Sequence, residues 1–191
     1  PSVPGRIFAT DFDMGVVGEA YQDNVVSDFH VTTGVYTAWN EGWMYRNDGV
    51  DISECNDIYL FHNGFHVGWF QEGEWMQYTI NVDTGAVYDI KLRYATANSG
   101  NNLHFAIGDE FITPSKNAQG NNWSLWQTLT FSDVILDGGL QKLRLYCDNG
   151  EVNVNSFEII KKGPVNSIDA NYITAYTLNP YNIELFLNKP I

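Results

Sequence analysis

The sequence predicts an all-β protein, an antiparallel β-sandwich of the jelly-roll kind, and three observations predict it. Apolar residues recur with a period of two through most of the chain, the pattern of strands with one buried and one wet face. Turn signals rich in Gly, Asn and Asp separate the alternating runs, at DTG 83–85, NSGNN 98–102, DGG 137–139 and DNG 148–150. No segment sustains a helical period. Short half-buried strands joined by such turns stack as two sheets.

Each strand has its own inward set. EWMQYTI turns Met76, Tyr78 and Ile80 one way, and Trp75, Gln77 and Thr79 the other. VYDIKLRYATA alternates Tyr88, Ile90, Leu92 and Tyr94 with Asp89, Lys91 and Arg93. LHFAI offers Leu103, Phe105 and Ile107 to the core, and QKLRLYC offers Leu143, Leu145 and Cys147. In the strand that starts near Trp123, Leu125, Gln127 and Leu129 share one face and Trp126 and Thr128 the other. Trp126 reads as core and Trp123 as a mouth residue.

Composition shifts near residue 161. KKGPVNS has the basic pair, Gly, Pro and Ser of a linker. The expected organisation is a β-sandwich over 1–161, a linker over 162–171 and a β-hairpin over 172–191. A lone hairpin is marginal in water, so residues 172–191 read as the start of a further β-domain or as a hairpin docked on the sandwich. The opening Pro-Ser-Val-Pro also reads as linker, as in a piece of a larger protein.

The chain's net charge of −13, from 23 acidic and 10 basic residues, argues against nucleic acid and anionic membranes, which require basic patches. No apolar run approaches the ~20 residues of a membrane helix. Cys55 and Cys147 are too few for a disulfide scaffold; they either form one bridge or remain two thiols.

Little in the chain suggests chemistry. There is no G-x-S-x-G motif or phosphate-cradling glycine loop, and His30, His62, His66 and His104 fall in no recognised pattern. Glu72 and Glu74 flank Gly73 at a tight turn. A retaining glycosidase needs two carboxyls about 5–5.5 Å apart across its substrate, which neighbouring turn positions do not naturally provide. Aromatics and amides suit sugar binding better, because neutral sugars are held by flat aromatic faces and a few placed amides. NNWSLW places Trp123 after a turn-rich stretch, and GEVNVNSF adds Asn153 and Asn155.

These features occur within an ordered series: PGRIFATDFD, EAYQD, YRNDGVDI, GFHVGWFQEGEWMQYTINV, AVYDIKLRYAT, WSLWQTL, LQKLRLYC and VNVNSFEI. Over residues 4 to about 160 the chain resembles a family 6 carbohydrate-binding module. The resemblance implies a jelly-roll sandwich without catalysis of its own, secreted or on the cell surface. It would bind a neutral β-linked polysaccharide for an attached glycoside hydrolase. It implies a cleft in which Trp123 and Phe65, at a position usually Tyr, sandwich a sugar ring. Asn153 bonds the sugar's hydroxyls and Glu19 lines the same cleft. Trp39, in the long segment Val25–Trp43, is a candidate extension of this surface; with Trp43 it equally suits pinning that segment to the sandwich. A structural Ca²⁺ is usual in the family, but Phe8 and Thr10 stand in its acidic places and Asn155 near its last ligand position, so weak calcium dependence at most is expected. The rival readings are a small jelly-roll hydrolase or lyase using Glu72 and Glu74, and a structural or adhesive β-domain with all its aromatics buried.

Overall fold

The computed structural model describes residues 1–24, 45–46, 49–58 and 60–165, together with the backbone of 172–179 and 182–187. Trp39 and Trp43 lie outside the described residues.

Alternation and turns produce two sheets. One has seven strands: β1 (Ser2–Val3), β3 (Tyr21–Gln22), β6 (Trp75–Val82), β8 (Asn101–Ile107), β9 (Glu110–Phe111), β10 (Lys116–Ala118) and β12 (Gly139–Asn149). The other has six: β2 (Gly5–Phe8), β4 (Ile52–Glu54), β5 (Phe65–Gln71), β7 (Ala86–Thr96), β11 (Asn122–Leu136) and β13 (Glu151–Gly163). Their spines run β1-β6-β12-β8-β10 and β11-β7-β13-β5-β4. A 3₁₀ turn at Ala9–Asp11 follows β2, and β14 (Tyr172–Asn179) pairs antiparallel with β15 (Asn182–Leu187). The all-β sandwich is as the sequence predicts. β13 runs to Gly163, so Lys161 and Lys162 belong to a strand.

The inward faces meet as one core. Tyr78, Ile80, Tyr88, Ile90, Leu92, Phe105, Leu143 and Leu145 are all fully buried, as their alternation requires. The sheets lock through aromatic edges: the Phe105 ring meets Phe131 and Phe157, each at 5.2 Å, and Tyr78 meets Phe157 at 5.0 Å. Such edge-to-face pairs add roughly 0.5–1.5 kcal/mol each beyond burial. The Tyr78 hydroxyl avoids an orphaned donor by bonding the Ala9 carbonyl at 2.9 Å.

Cys55 and Cys147 are free. Cys147 is a core residue of the seven-stranded sheet, whereas Cys55 directly follows β4 of the other sheet. Burial pushes their thiols up, to about 12 for Cys147 and about 11 for Cys55, which keeps both in the unreactive protonated form at neutral pH.

Candidate functional site

Outward-facing residues at one end of the six-stranded sheet form a cleft of about 510 Å³ between β4, β5, β13 and the start of β11. Val152 and Val154 are core residues, so Asn153 between them points out; Val67 is core, so His66 beside it points out. Trp123, 36% exposed, forms part of the opposite wall.

Trp69 enters this cleft by an irregularity. Val67 pairs with Val154 and Phe70 with Val152, so three steps on β5 face two on β13. The extra residue lets Val67 and Phe70 both reach the core, and Trp69 absorbs it with φ +46°, in the left-handed region that costs a non-glycine residue on the order of 1 kcal/mol or more. A β-bulge of this kind re-aims a side chain; here it turns the indole of a would-be framework residue into the cleft lining.

The polar groups are fixed in advance. Asn153 donates its Nδ2–H to the Trp123 carbonyl at 3.2 Å, which holds two sides of the cleft together and leaves Oδ1 as an acceptor. Gly68 lies beneath: a Cβ there would sit 3.5 Å from Asn153 Oδ1 and 3.6 Å from His66 Nε2. Trp126 donates its indole N–H to Asn56 Oδ1 at 2.7 Å and meets the His66 ring edge-on at 5.2 Å. Asn56 and His66 both line the cleft. Trp126 is therefore a half-buried support on the outer face and not a core residue; the core side of β11 is the one Leu129 and Phe131 occupy. Glu54 and Glu151 also line the cleft, and among the described residues no Lys or Arg does. Burial raises the Glu151 carboxyl.

Of the residues the sequence singled out, the structure brings Trp123 and Asn153 together. Phe65 lies two residues before Val67 and so faces inward, packing on the core and against Tyr45 at 5.2 Å; Trp69 and His66 occupy the wall expected of it. Glu19 is exposed in a separate hollow beside Gln77, Thr79 and Lys142, across the outer face of the other sheet. Trp39 lies outside the described residues. The signal for Trp69 was the surplus residue between two inward positions, visible only once Val67 and Phe70 are both known to be core.

Glu72 and Glu74 form no acid pair across a groove. Glu74 is 5% exposed, and its carboxylate accepts the N–H groups of Gln71 at 2.8 Å and Asn24 at 3.0 Å, closing its own turn. Burial, outweighing the lowering by those N–H groups and reinforced by Asp23 and Glu151, pushes this carboxyl from about 4.5 up to about 7. The native state then binds the proton more tightly than the unfolded chain, so the contribution is full below pH 4.5 and fades as pH rises to 7. Urea denaturation across pH 4.5–7.5 is expected to show about 3 kcal/mol of stability lost upward through this window, and Glu74→Gln is expected to flatten that slope; an unchanged slope in the variant excludes Glu74 as its source.

The places of the expected calcium ligands do not fit the ion. Thr10 is buried with its hydroxyl accepting from Asn63 at 3.0 Å, and Asn155 donates to Asp57 at 2.8 Å. Asn155 Oδ1 is buried without a hydrogen-bond partner. The carboxylate beside it, Asp57, is engaged by the Arg93 guanidinium, whereas calcium takes six to eight oxygens, carboxylates among them. Among the described residues no group of three or more His, Cys, Asp or Glu is placed to hold a metal.

The model of the family described as "Carbohydrate binding module (family 6)" matches residues 43–161, well over half the chain. The chain belongs to that family. The module shares its fold with solved family 6 modules. One, CBM6cm-2 of Cellvibrio mixtus lichenase 5A in complex with cellotriose, is 23% identical over 62% of this chain and 91% of that one, with a TM-score of 0.53. A β-1,3-glucan binding module from Bacillus halodurans is 18% identical over 83% and 97%, with a TM-score of 0.58. A curated relative, a "1,6-alpha-glucosyltransferase" of Sporosarcina globispora, is 25% identical over 148 residues, 75% of this chain. The chain spans 11% of that protein's length.

Proposed function

We propose that the module binds a polysaccharide with a neutral, β-linked backbone (β-glucan, xylan or agar type) in the Trp69–Trp123–Asn153 cleft. In this reading it holds an attached glycoside hydrolase, secreted or at the cell surface, on that polymer. The observation that carries the reading is the convergence of two indoles and two amides, with no Lys or Arg among the described residues, in one pre-formed cleft. Flat aromatic faces take the C–H faces of a pyranose, and Asn56 and Asn153 take hydroxyls. The module does no chemistry in this reading: Glu74 is committed to its turn, and binding is its whole task. Glu19 and Phe65 have no place in this cleft.

A glycan array of β-glucans, xylans and galactans tests this, with α-1,6-glucans included because of the glucosyltransferase relative. Retention of one β-linked class, reproduced in solution with a Kd on the order of 10 μM to 1 mM, is the expected result. Retention of α-glucan alone would overturn the linkage, and release of reducing sugar that Glu72→Gln abolishes would overturn the non-catalytic role.

A further inference from the structure

A second concavity, of about 360 Å³, lies on the same outer face, further along β13. Ser156 and Glu158 of β13 lie in register with Arg93 and Lys91 of β7, which lie in register with Thr128 and Thr130 of β11. Asn153 of the cleft precedes Ser156 by three residues, about 10 Å of strand.

The hollow gathers Arg6, Lys91 and Arg93, in a chain with only 10 basic residues and a net charge of −13. Two of the cations are held rigidly. Arg93 donates Nε–H and NH2 to the two oxygens of Asp57, at 3.0 and 2.6 Å, and NH1 to Thr128 Oγ1 at 3.2 Å. Arg6 pairs with Glu158 at 3.2 Å. Both guanidiniums lie over the Phe61 ring, Arg6 at 4.6 Å and Arg93 at 4.7 Å from its centre. These pairings balance Arg6 and Arg93. Lys91 is exposed, and among the described residues no carboxylate lies within ion-pair distance of it. The hollow therefore carries one uncompensated positive charge, the remaining N–H edge of Arg93 and the Thr130 hydroxyl.

We infer that this hollow receives an oxyanion substituent, carboxylate or sulfate, on the polysaccharide whose neutral sugars occupy the cleft. The Lys91 ammonium, the outward N–H hydrogens left on Arg93 and the Thr130 hydroxyl are donors of the kind that hold such a group by charge-assisted hydrogen bonds. The cleft, with Glu54 and Glu151, repels the same group, so the two regions together select a mainly neutral backbone with spaced acidic branches. The inference rests on the proposed cleft, and its test separates the two.

Calorimetry would use matched probes: xylan fragments with and without glucuronic acid branches, agar-type galactan fragments with and without sulfate, and inorganic sulfate alone. An acidic fragment is expected to bind about three- to tenfold more tightly than its neutral counterpart at low salt. The advantage is expected to vanish in 0.5 M NaCl and in Lys91→Gln, which leaves neutral-fragment affinity unchanged. No advantage for either acid, or one that survives Lys91→Gln, overturns the inference. Binding of inorganic sulfate, read as amide shifts at Lys91 and Thr130, without any gain for acidic fragments also overturns it, leaving a small-anion site. The cleft assignment is tested separately: neutral fragments that bind Trp123→Ala at full strength sink the cleft, while the Lys91 comparison remains readable.

Discussion

Trp123→Ala is expected to remove measurable glycan binding while the protein melts within a few degrees of its parent. The ring is 36% exposed at the cleft mouth, so truncation empties little of the core and costs the fold under about 1 kcal/mol. For binding the balance differs. A module holding sugar at about −4 to −7 kcal/mol depends on a few stacked faces, and loss of one anchor removes ~2–4 kcal/mol. Trp69→Ala should behave alike, since its indole lines the same cleft. Phe65→Leu should retain affinity, because that ring packs inward on the core and Tyr45. Calorimetry of the three variants decides: full affinity in folded Trp123→Ala would place the ligand on another face, and selective loss in Phe65→Leu would restore the role its sequence position implied.

Asp57→Ala should be the most damaging single change to stability outside the apolar core. Its carboxylate is almost wholly buried and accepts from Arg93 twice, from the Ile58 N–H at 2.8 Å and from Asn155. Burial alone would raise this acid; those donors, with the guanidinium's charge, outweigh it and hold the carboxyl below its ordinary range. Removing the acid leaves Arg93 without its counter-ion and the Asn155 amide without an acceptor, at a cost of about 3–5 kcal/mol. Urea denaturation measures this. The double variant Asp57→Leu/Arg93→Met should recover most of the loss, because apolar replacement of both partners is often neutral. A cost below about 1 kcal/mol in the single variant would mean that water enters and solvates the guanidinium.

The architecture was legible because period-two alternation and Gly/Asn/Asp turns act locally, strand by strand. Met76–Ile80, Tyr88–Tyr94 and Leu143–Cys147 face the core as their spacing requires. The site was only partly legible. Trp123 and Asn153 follow from the family resemblance, and the structure places both in the cleft. Phe65 was assigned from the resemblance, whereas its ring packs inward on the core two residues before Val67, and the extra residue between Val67 and Phe70 sends Trp69 outward instead. Trp126 was misplaced because β11 has a register irregularity between Asn122 and Gln127, so counting from Trp123 did not establish which face was inner. The Asp57–Arg93–Asn155 cluster joins residues up to 98 positions apart, and no local pattern announces it.

The surplus residue in β5 also bears on how ligand arrives. A binding wall on a loop must be ordered as the sugar docks, and that ordering lowers affinity and slows capture. Here one wall is carried by the pairing of β5 with β13, two interior strands of a sheet, and is complete when the sandwich has folded. Encounter then needs no rearrangement of this backbone. Association should run at the speed of diffusion and orientation, and release should depend on how long each sugar stays stacked. On the proposed reading, such a module would sample a polymer by rapid exchange, letting go and rebinding along the chain.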